Sequence, residues 1–418
     1  MGVLVLGLGL MGCAPADGDG SGKTKLVLSF WGSANELATF KQLVADFEAL
    51  HPDITVEARH IPQNYFQKIH ILMASGLTPD VMMVNSLSLP VYSEHDQFLP
   101  LTDLLGTDAF PVERADFYAG ALAALSRHGT LYAMPRDVSN LVVYVNKRMF
   151  EQAGVPLPPR NWTLDQMRQT ARRMTRDVNH DGHPEQFGMS FYAKPPLFWL
   201  PFVWSEGGRL LADDLHTLAI DRPETINALQ AYADLRGNEP VAPRRIDTGA
   251  VTMSQLFIQE KLAMMVNGRW MVPALRQQVG FDWDVWPFPR GRQGSVVGID
   301  ASGYAIAKQT QHKAEALKLV AFLSSRSAQA RWTESGLIIP ARLDVAESNL
   351  FLAPGQRPAH ARVFLEVIAS GMPSRTPPQW DEFSEALQLA LEPVWEGRTQ
   401  ARDAVAGSTA ELQRILAH

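Results

Sequence analysis

The fold class of this chain is decided by the stretch KLVLSFWGSANELATFKQLVADFEAL, residues 25–50, in which a strand and a helix follow each other directly. Its first seven residues are mostly apolar and end on an aromatic ring, as in a buried strand. After a glycine, Ser33 and Glu36 fit the S-x-x-E capping box that begins a helix. The apolar residues of that helix recur at helical spacing: Leu37, Phe40, Val44 and Phe47.

The same alternation continues beyond this stretch. DITVEAR (residues 53–59) and PDVMMVN (79–85) have the composition of strands, and a short helix around YFQKIHILMASG (65–76) separates them. Strands that alternate with helices favour βαβ units and a mostly parallel sheet. We therefore predict an α/β domain from residue 25 to about residue 134.

Further along the chain, more elements of both kinds are predicted. LYAMPRDVSNLVVYVNKRMF (131–150) is rich in strand formers, and TLDQ (163–166) is a second capping box at a helix start. GIDASGYAIAK (298–308) predicts a strand, and AEALKLVAFLSS (314–325) predicts an amphipathic helix. The middle third and the final fifth, from about Asp381, are mainly helical.

Composition limits the possible partners. The chain has 418 residues, 46% of them hydrophobic, which is enough for two domains with separate cores. Its formal net charge of −6 leaves no basic stripe to neutralise phosphates, so we expect no nucleic-acid partner. The sequence has no GxSxG, no HExxH and no phosphate loop, so we expect neither an enzyme nor a cofactor.

The single cysteine, Cys13, follows the uncharged run GVLVLGLGLMG (2–12), which is too short to span a bilayer but suits a secretion signal. LMGC (10–13) resembles a bacterial lipobox, in which the cysteine is lipidated. We predict a signal peptide over residues 1–12 and a lipidated flexible tether over 13–24, with an untethered secreted form as the alternative. No Lys or Arg precedes the apolar run, so a start upstream of Met1 stays open.

One polar segment resembles the start of a calcium-binding loop. Asp177, Asn179, Asp181 and Gly182 have the spacing of an EF-hand start, but the twelfth position, where a bidentate Glu belongs, is Gly188. We therefore expect a polar turn without a metal, and calcium is the minor alternative.

Several motifs, taken in order, resemble family 1 of the extracellular solute-binding proteins of ABC importers, the group that includes maltodextrin-binding protein. The resemblance covers nearly all of the chain after the signal. Each motif alone is weak, and their common order is what makes the resemblance specific. The motifs are PDV (79–81), LYAMPRDVSNLVVYVNKRMFEQAGV (131–155), DVNHDGHPEQFG (177–188), WSEGGRLL (204–211), FIQEKLAMMVNGRW (257–270), GYAIAKQTQHKAEALKLVAFL (303–323) and GLIIPAR (336–342).

The resemblance implies a two-lobe periplasmic-binding-protein fold of type II, in which each lobe is a sheet flanked by helices and a hinge joins the lobes. It further implies a monomer outside the cytoplasm, anchored to the membrane surface through Cys13, that binds a carbohydrate between the lobes and delivers it to ABC permease subunits. The predicted segments are 25–134 and 303–339 for the N-terminal lobe, 141–296 and 340–418 for the C-terminal lobe, and 135–140 and 297–302 for the hinge crossings.

Open α/β sheets bind ligands beyond the carboxyl ends of their strands. The candidate residues at these positions are Trp31, Asn35, Gln63, Asn64, Asn85 and Ser86. Ser33 and Glu36 are set aside because the capping box uses them.

Sugars need flat aromatic faces and planar polar groups, and three of the ten tryptophans lie in family motifs that border the cleft: Trp204, Trp270 and Trp380. Gly208 belongs to the same set of motifs. Asp137 and Asp300 lie in the two crossings, where each carboxylate could accept sugar hydroxyls or serve as a hinge salt bridge or turn cap. Arg342 could bind a sugar or an anion, or tie the lobes together.

Two other functions stay open at this point. The same fold could bind glycerol phosphate or another small polar solute, and several converging Arg or Lys side chains would favour that reading. A secreted glycosidase would instead need a close pair of carboxylates with separate acid and base roles.

Overall fold

The structure, a computed structural model, describes residues 22–244 and 251–417. The predicted signal peptide and Cys13 lie outside the described residues, as does most of the tether. The strands in chain order are β1 (Thr24–Phe30), β2 (Ile54–His60), β3 (Val81–Asn85), β4 (Ser126–Arg127), β5 (Thr130–Leu131), β6 (Ala133–Ser139), β7 (Val142–Asn146), β8 (Phe187–Met189), β9 (Leu262–Asn267), β10 (Trp283–Trp286), β11 (Gly298–Ile306), β12 (Ile339–Pro340) and β13 (Met372–Pro373).

Helices cover both faces of the sheets. In chain order they are α1 (Ala34–Leu50), α2 (Tyr65–Ala74), α3 (Leu89–Glu94), α4 (Ala119–Ala124), α5 (Lys147–Ala153), α6 (Leu164–Met174), α7 (Leu200–Ser205), α8 (Pro223–Asp234), α9 (Met253–Ile258), α10 (Val272–Gln278), α11 (Lys313–Leu323), α12 (Arg326–Glu334), α13 (Leu343–Ala346), α14 (Asn349–Leu352), α15 (Val363–Ser370), α16 (Trp380–Trp395) and α17 (Ala401–Leu416). Within the described ranges, no helix combines the length and the apolar character that a membrane crossing requires.

The opening stretch folds as its sequence predicts. Strand β1 pairs in parallel with β2 and with β3. At the start of α1, the Ser33 hydroxyl accepts from the Glu36 backbone N–H and the Glu36 carboxylate accepts from the Ser33 N–H, which confirms the capping box. The rings of Phe30 and Phe40 stack at 3.7 Å between centroids, so the turn brings strand and helix into one core.

The prediction of a mostly parallel sheet is wrong for the rest of this first sheet. Its strand order is β12-β6-β11-β3-β1-β2, and β3–β11, β11–β6 and β6–β12 all pair antiparallel. Strands β6, β11 and β12 are distant in sequence from β1–β3. Their direction therefore depends on long-range topology, which local helix–strand alternation does not encode.

The second sheet is built from the middle of the chain, in the order β10-β7-β9-β8. Its central strand β7 is fully buried, and the hydroxyl of Tyr144 on that strand donates to the carbonyl oxygen of Gly268 at 2.7 Å. Only β8 and β9 pair in parallel. Strands β7 to β10 therefore form a second sheet that is distinct from the first.

The chain passes between the two sheets near the predicted crossings. Strand β6, in the first sheet, is followed directly by β7 in the second, and β10 in the second sheet precedes β11 in the first. A third segment reaches the same region, because β13 pairs in parallel with the start of β11. Three stretches of chain thus meet where the sheets approach each other.

The C-terminal region contacts both layers. Helix α17 packs against α16 and against α8 beside the second sheet, whereas α13 and α14 pack against α12. Pro340 pairs with Asp137 in the first sheet. The lobe boundary predicted between residues 339 and 340 therefore stays a prediction, with short helices on its far side that contact α12.

Candidate functional site

A cavity of about 950 Å³ lies between the segments that surround the two sheets. One wall comes from residues 86–129, which follow β3 and include α3 and α4. The other wall comes from residues 200–215, which include α7, and from residues 372–380. Because the walls come from segments that are far apart in the chain, a ligand here would join them.

The surface of this cavity is largely apolar. Leu89, Phe117 and Leu122 line it from the first wall, and Leu200 and Leu210 line it from the second. A concave site of this volume, with apolar walls and a few polar groups, is the usual form of a small-molecule binding site.

Two partly exposed tryptophans stand in the second wall. Trp204 lies in the last turn of α7 beside Gly298, where an added Cβ would lie 3.1 Å from the indole ring. Trp380 begins α16 and stacks on Phe383 at 5.9 Å between ring centroids. Both rings are therefore held by packing while part of each stays open to the cavity, as an aromatic platform for a sugar ring requires.

Two serines of the cavity lining, Ser86 and Ser374, meet behind it at the carboxylate of Asp300. Ser86 donates from its hydroxyl to the Asp300 carboxylate at 3.1 Å, and Ser374 also bonds this carboxylate. Burial raises the pKa of Asp300, and the two serine hydroxyls partly oppose that shift. Ser86 belongs to the first wall and Ser374 to the second, so Asp300 links the two walls through hydroxyl groups.

A second link between the walls runs through Thr376. Its hydroxyl donates to the Leu87 carbonyl oxygen at 3.1 Å, and its own carbonyl oxygen accepts from Arg127 at 3.4 Å. Arg127 also donates to Glu94 at 2.7 Å, and this hydrogen bond lowers the pKa of Glu94. The Arg127 side chain is therefore fixed at the cavity edge rather than free.

Comparison with known proteins identifies the family. The model of the family described as bacterial extracellular solute-binding protein matches residues 31–330, well over half of the chain. This chain belongs to that family. An ABC substrate-binding protein of Listeria monocytogenes in complex with cycloalternan has a TM-score of 0.84 at 23% identity, over 94% of this chain and 99% of that one. The fold of this solute-binding protein is therefore the two-lobe periplasmic-binding-protein fold, which confirms the predicted fold class.

Two curated relatives have informative names. An arabinooligosaccharide-binding protein of Halalkalibacterium halodurans is 23% identical over 80% of this chain and 75% of its own length. A lipoprotein of Streptomyces antibioticus is 26% identical over 76% of this chain and 70% of its own length.

Several predicted binding residues of this solute-binding protein lie outside the cavity. Trp31 packs against the rings of Tyr65 and Phe66, at 5.1 and 5.4 Å between centroids. Asn85 caps its own turn, since its side-chain oxygen accepts from the Ser88 N–H at 2.8 Å. The remaining members of this group, Asn35, Gln63 and Asn64, are exposed beyond β1 and β2.

The charged candidates Asp137 and Arg342 already have partners. Asp137 is 3% exposed and accepts from the Arg136 guanidinium at 2.6 Å. Arg342 forms ion pairs with Asp116 at 2.9 Å and with Asp344 at 3.0 Å. These contacts match the alternative of a structural salt bridge that the sequence left open for each.

The two remaining candidates lie on the second layer. An added Cβ on Gly208 would lie 2.7 Å from Val203, so a side chain there would displace the packing under α7. Trp270 is half-buried and follows Gly268, outside the cavity lining. Near it, Tyr192 stacks on Phe198 at 4.1 Å, and the Tyr192 hydroxyl accepts from Asn267 at 3.3 Å.

Sequence reasoning missed most of the charged residues that line the cavity. Thr376 and Arg375 lie in SRTPPQW, four and five residues before the predicted Trp380, and that proximity was the available signal. Arg114 and Arg127 had no such signal, because the loops around α4 match no motif.

The loop at 177–188 brings three carboxylates closer together than the sequence argument considered. Oxygen atoms of Asp177, Asp181 and Glu185 lie within 4.8 Å of one another. Glu185 stands at the ninth position of the EF-hand scheme rather than the twelfth. The Asp177 carboxylate also accepts from the Gly182 N–H at 2.8 Å, as in a polar turn.

Proposed function

We propose that this solute-binding protein captures a disaccharide or oligosaccharide in the cavity between its lobes and delivers it to the permease of an ABC importer. The observation that carries the proposal is the cavity itself, because residues 86–129 line one side of it and residues 200–215 and 372–380 line the other, where Trp204 and Trp380 lie. The Listeria protein in complex with cycloalternan and the arabinooligosaccharide-binding protein of Halalkalibacterium support the same ligand class.

Closure of the lobes follows from this geometry. A ligand that contacts both walls gains all of its contacts only in the closed form, so binding shifts the population towards that form. A permease that recognises the closed form would then distinguish loaded from empty protein. In this proposal the protein is a monomeric binding protein without catalytic activity, with lobes and hinge crossings at the predicted segments.

Intrinsic fluorescence and thermal shift across a panel of mono- and oligosaccharides test the proposal. We expect at least one oligosaccharide to change tryptophan emission and to raise the melting temperature, because a ligand that binds only the folded state stabilises it. Trp380→Ala should weaken that binding about tenfold or more. Leu389→Ala, an exposed change on the same helix, is the control and should bind normally.

Two results would contradict the proposal. A response only to glycerol phosphate, with none to any sugar, would favour the small-solute alternative. Turnover of a glycoside that one carboxylate substitution abolishes would favour the glycosidase.

Lipid anchoring through Cys13, at the periplasmic or outer face of a bacterial membrane, belongs to the same proposal, and a lipoprotein among the relatives supports it. Expression in bacteria fed a labelled fatty acid tests it. The label should enter the wild-type protein and be lost in Cys13→Ser, and equal labelling of both would contradict the anchor.

A further inference from the structure

The cavity has a charge opposite to that of the chain as a whole. Only one acidic residue, Asp213, lines it among the described residues, together with four arginines and His128. The whole chain carries a formal net charge of −6. The arginines of the lining are Arg114, Arg127, Arg209 and Arg375.

Two of these arginines have acidic partners and two do not. Arg127 pairs with Glu94 and Arg209 pairs with Asp213, both at 2.7 Å. Arg114 and Arg375 are exposed, and across residues 22–244 and 251–417 no ion pair or side-chain hydrogen bond engages either guanidinium. Free positive charge is therefore concentrated at two points on the cavity lining.

The two points lie on opposite walls. Arg114 belongs to the segment before Phe117 in the first wall, whereas Arg375 lies between Ser374 and Thr376 in the second. Arg375 is also five residues before Trp380, so one short segment carries both a guanidinium and an aromatic platform.

We infer that the saccharide bound here is anionic, with a carboxylate or a phosphate ester that Arg375 and Arg114 receive. A guanidinium offers a planar fork of donors that matches both groups, and such charge-assisted bonds are stronger than neutral ones. A cavity whose unpaired charges are of one sign also concentrates ligands of the opposite sign. The inference rests on the proposed saccharide function, and it adds the charge of the ligand.

Matched probes test the charge directly. Titration calorimetry on the wild-type protein would compare galactotriose with trigalacturonate, and glucose with glucose 6-phosphate. We expect the anionic member of at least one pair to bind about tenfold or more tightly than its neutral partner. Its affinity should fall as salt rises, because exposed charges are screened. The two pairs distinguish a carboxylate from a phosphate.

Variants then assign the residues. Arg375→Gln and Arg114→Gln should each weaken the preferred anion about tenfold, while affinity for its neutral partner changes little. Arg173→Gln, a change at an exposed arginine of α6 outside the cavity lining, should leave the anion affinity as in wild type. A melting temperature within the spread of the control shows that each variant is folded.

The outcomes separate the two proposals. If neutral sugars bind as tightly as their anionic partners and the two cavity variants bind like wild type, the anionic ligand is overturned and the saccharide function stands. If no saccharide of either charge binds, both fall. Inorganic phosphate that binds as tightly as glucose 6-phosphate would overturn the saccharide component.

Discussion

Asp137 and Asp300 occupy neighbouring strands of the first sheet, where β6 and β11 pair, and they solve the problem of a buried carboxylate in different ways. Asp137 lies against the guanidinium of Arg136, and it also accepts from the Ser302 N–H at 3.2 Å. Asp300 has serine hydroxyls as partners, and among the described residues it forms no ion pair.

The difference separates a carboxylate with a compensating charge from one without it. A buried arginine and aspartate neutralise each other, so losing either one leaves an uncompensated charge in the core. A carboxylate held only by hydroxyls keeps its charge uncompensated and responds to pH and to its surroundings. The first arrangement stabilises the pairing of β6 with β11, and the second places a pH-sensitive group beside Ser86 and Ser374 of the cavity lining.

We expect the largest effect on the free energy of unfolding from a change at Asp137. Asp137→Asn removes the charge that compensates Arg136, which is 5% exposed, and should lower the free energy of unfolding by about 3 kcal/mol. Urea denaturation measures it, with Asp108→Asn, an exposed change without an ion pair in the described chain, as the control. A loss no larger than that of the control would show that Glu36, 3.8 Å from the Arg136 guanidinium, suffices as its partner.

We expect the next largest effect on stability from the serine hydroxyls that hydrogen-bond to Asp300. Ser86→Ala removes a hydroxyl that donates to the Asp300 carboxylate and should cost about 1 kcal/mol of stability at pH 7. Since this hydroxyl lowers the pKa of Asp300, the cost should shrink at low pH, where the carboxylate is protonated. Urea midpoints at pH 7 and pH 4 measure the change, and a cost independent of pH would contradict the link to Asp300.

The smallest effect is at Asp300 itself. Burial raises its pKa in the folded protein, so ionisation destabilises the fold as pH rises through that raised value. Asp300→Asn should therefore be more stable than wild type at pH 7, by about 1 kcal/mol or less, because part of the residue stays exposed.

The advantage of Asp300→Asn should vanish below the ordinary pKa of an aspartate, about 4. Urea midpoints of the variant and the wild type between pH 4 and pH 7 measure this difference in stability. A variant that is less stable than wild type at pH 7 would show that the ionised carboxylate is required by the fold.

Local features of the fold were predictable from the sequence. The capping boxes at Ser33 and Thr163 use residues three positions apart, and both form as predicted. The antiparallel pairing of β11 with β3 was not predictable from the sequence, because the pairing of Asn85 with Ser302 depends on how the whole middle of the chain folds.

The candidate site shows the same limit. Ser86, Trp204 and Trp380 were found because a strand end or a motif marked them. The roles of Asp137 and Asp300 could not be separated from sequence, since both lie in crossings and only the packed structure shows which one meets a guanidinium. Arg114 and Arg375 reach one cavity from positions about 260 residues apart, and no spacing rule connects such residues.

The antiparallel position of β11 also orders the assembly of the protein. The antiparallel partner of β3, strand β11, lies more than 200 residues later in the chain. Strands β7 to β10, in contrast, form their sheet within one continuous segment. Closing the longer loop costs more chain entropy and slows folding. We therefore expect the second sheet to form early and the first sheet to finish last, so that the wall carrying Ser86 takes its final shape only once β11 pairs with β3.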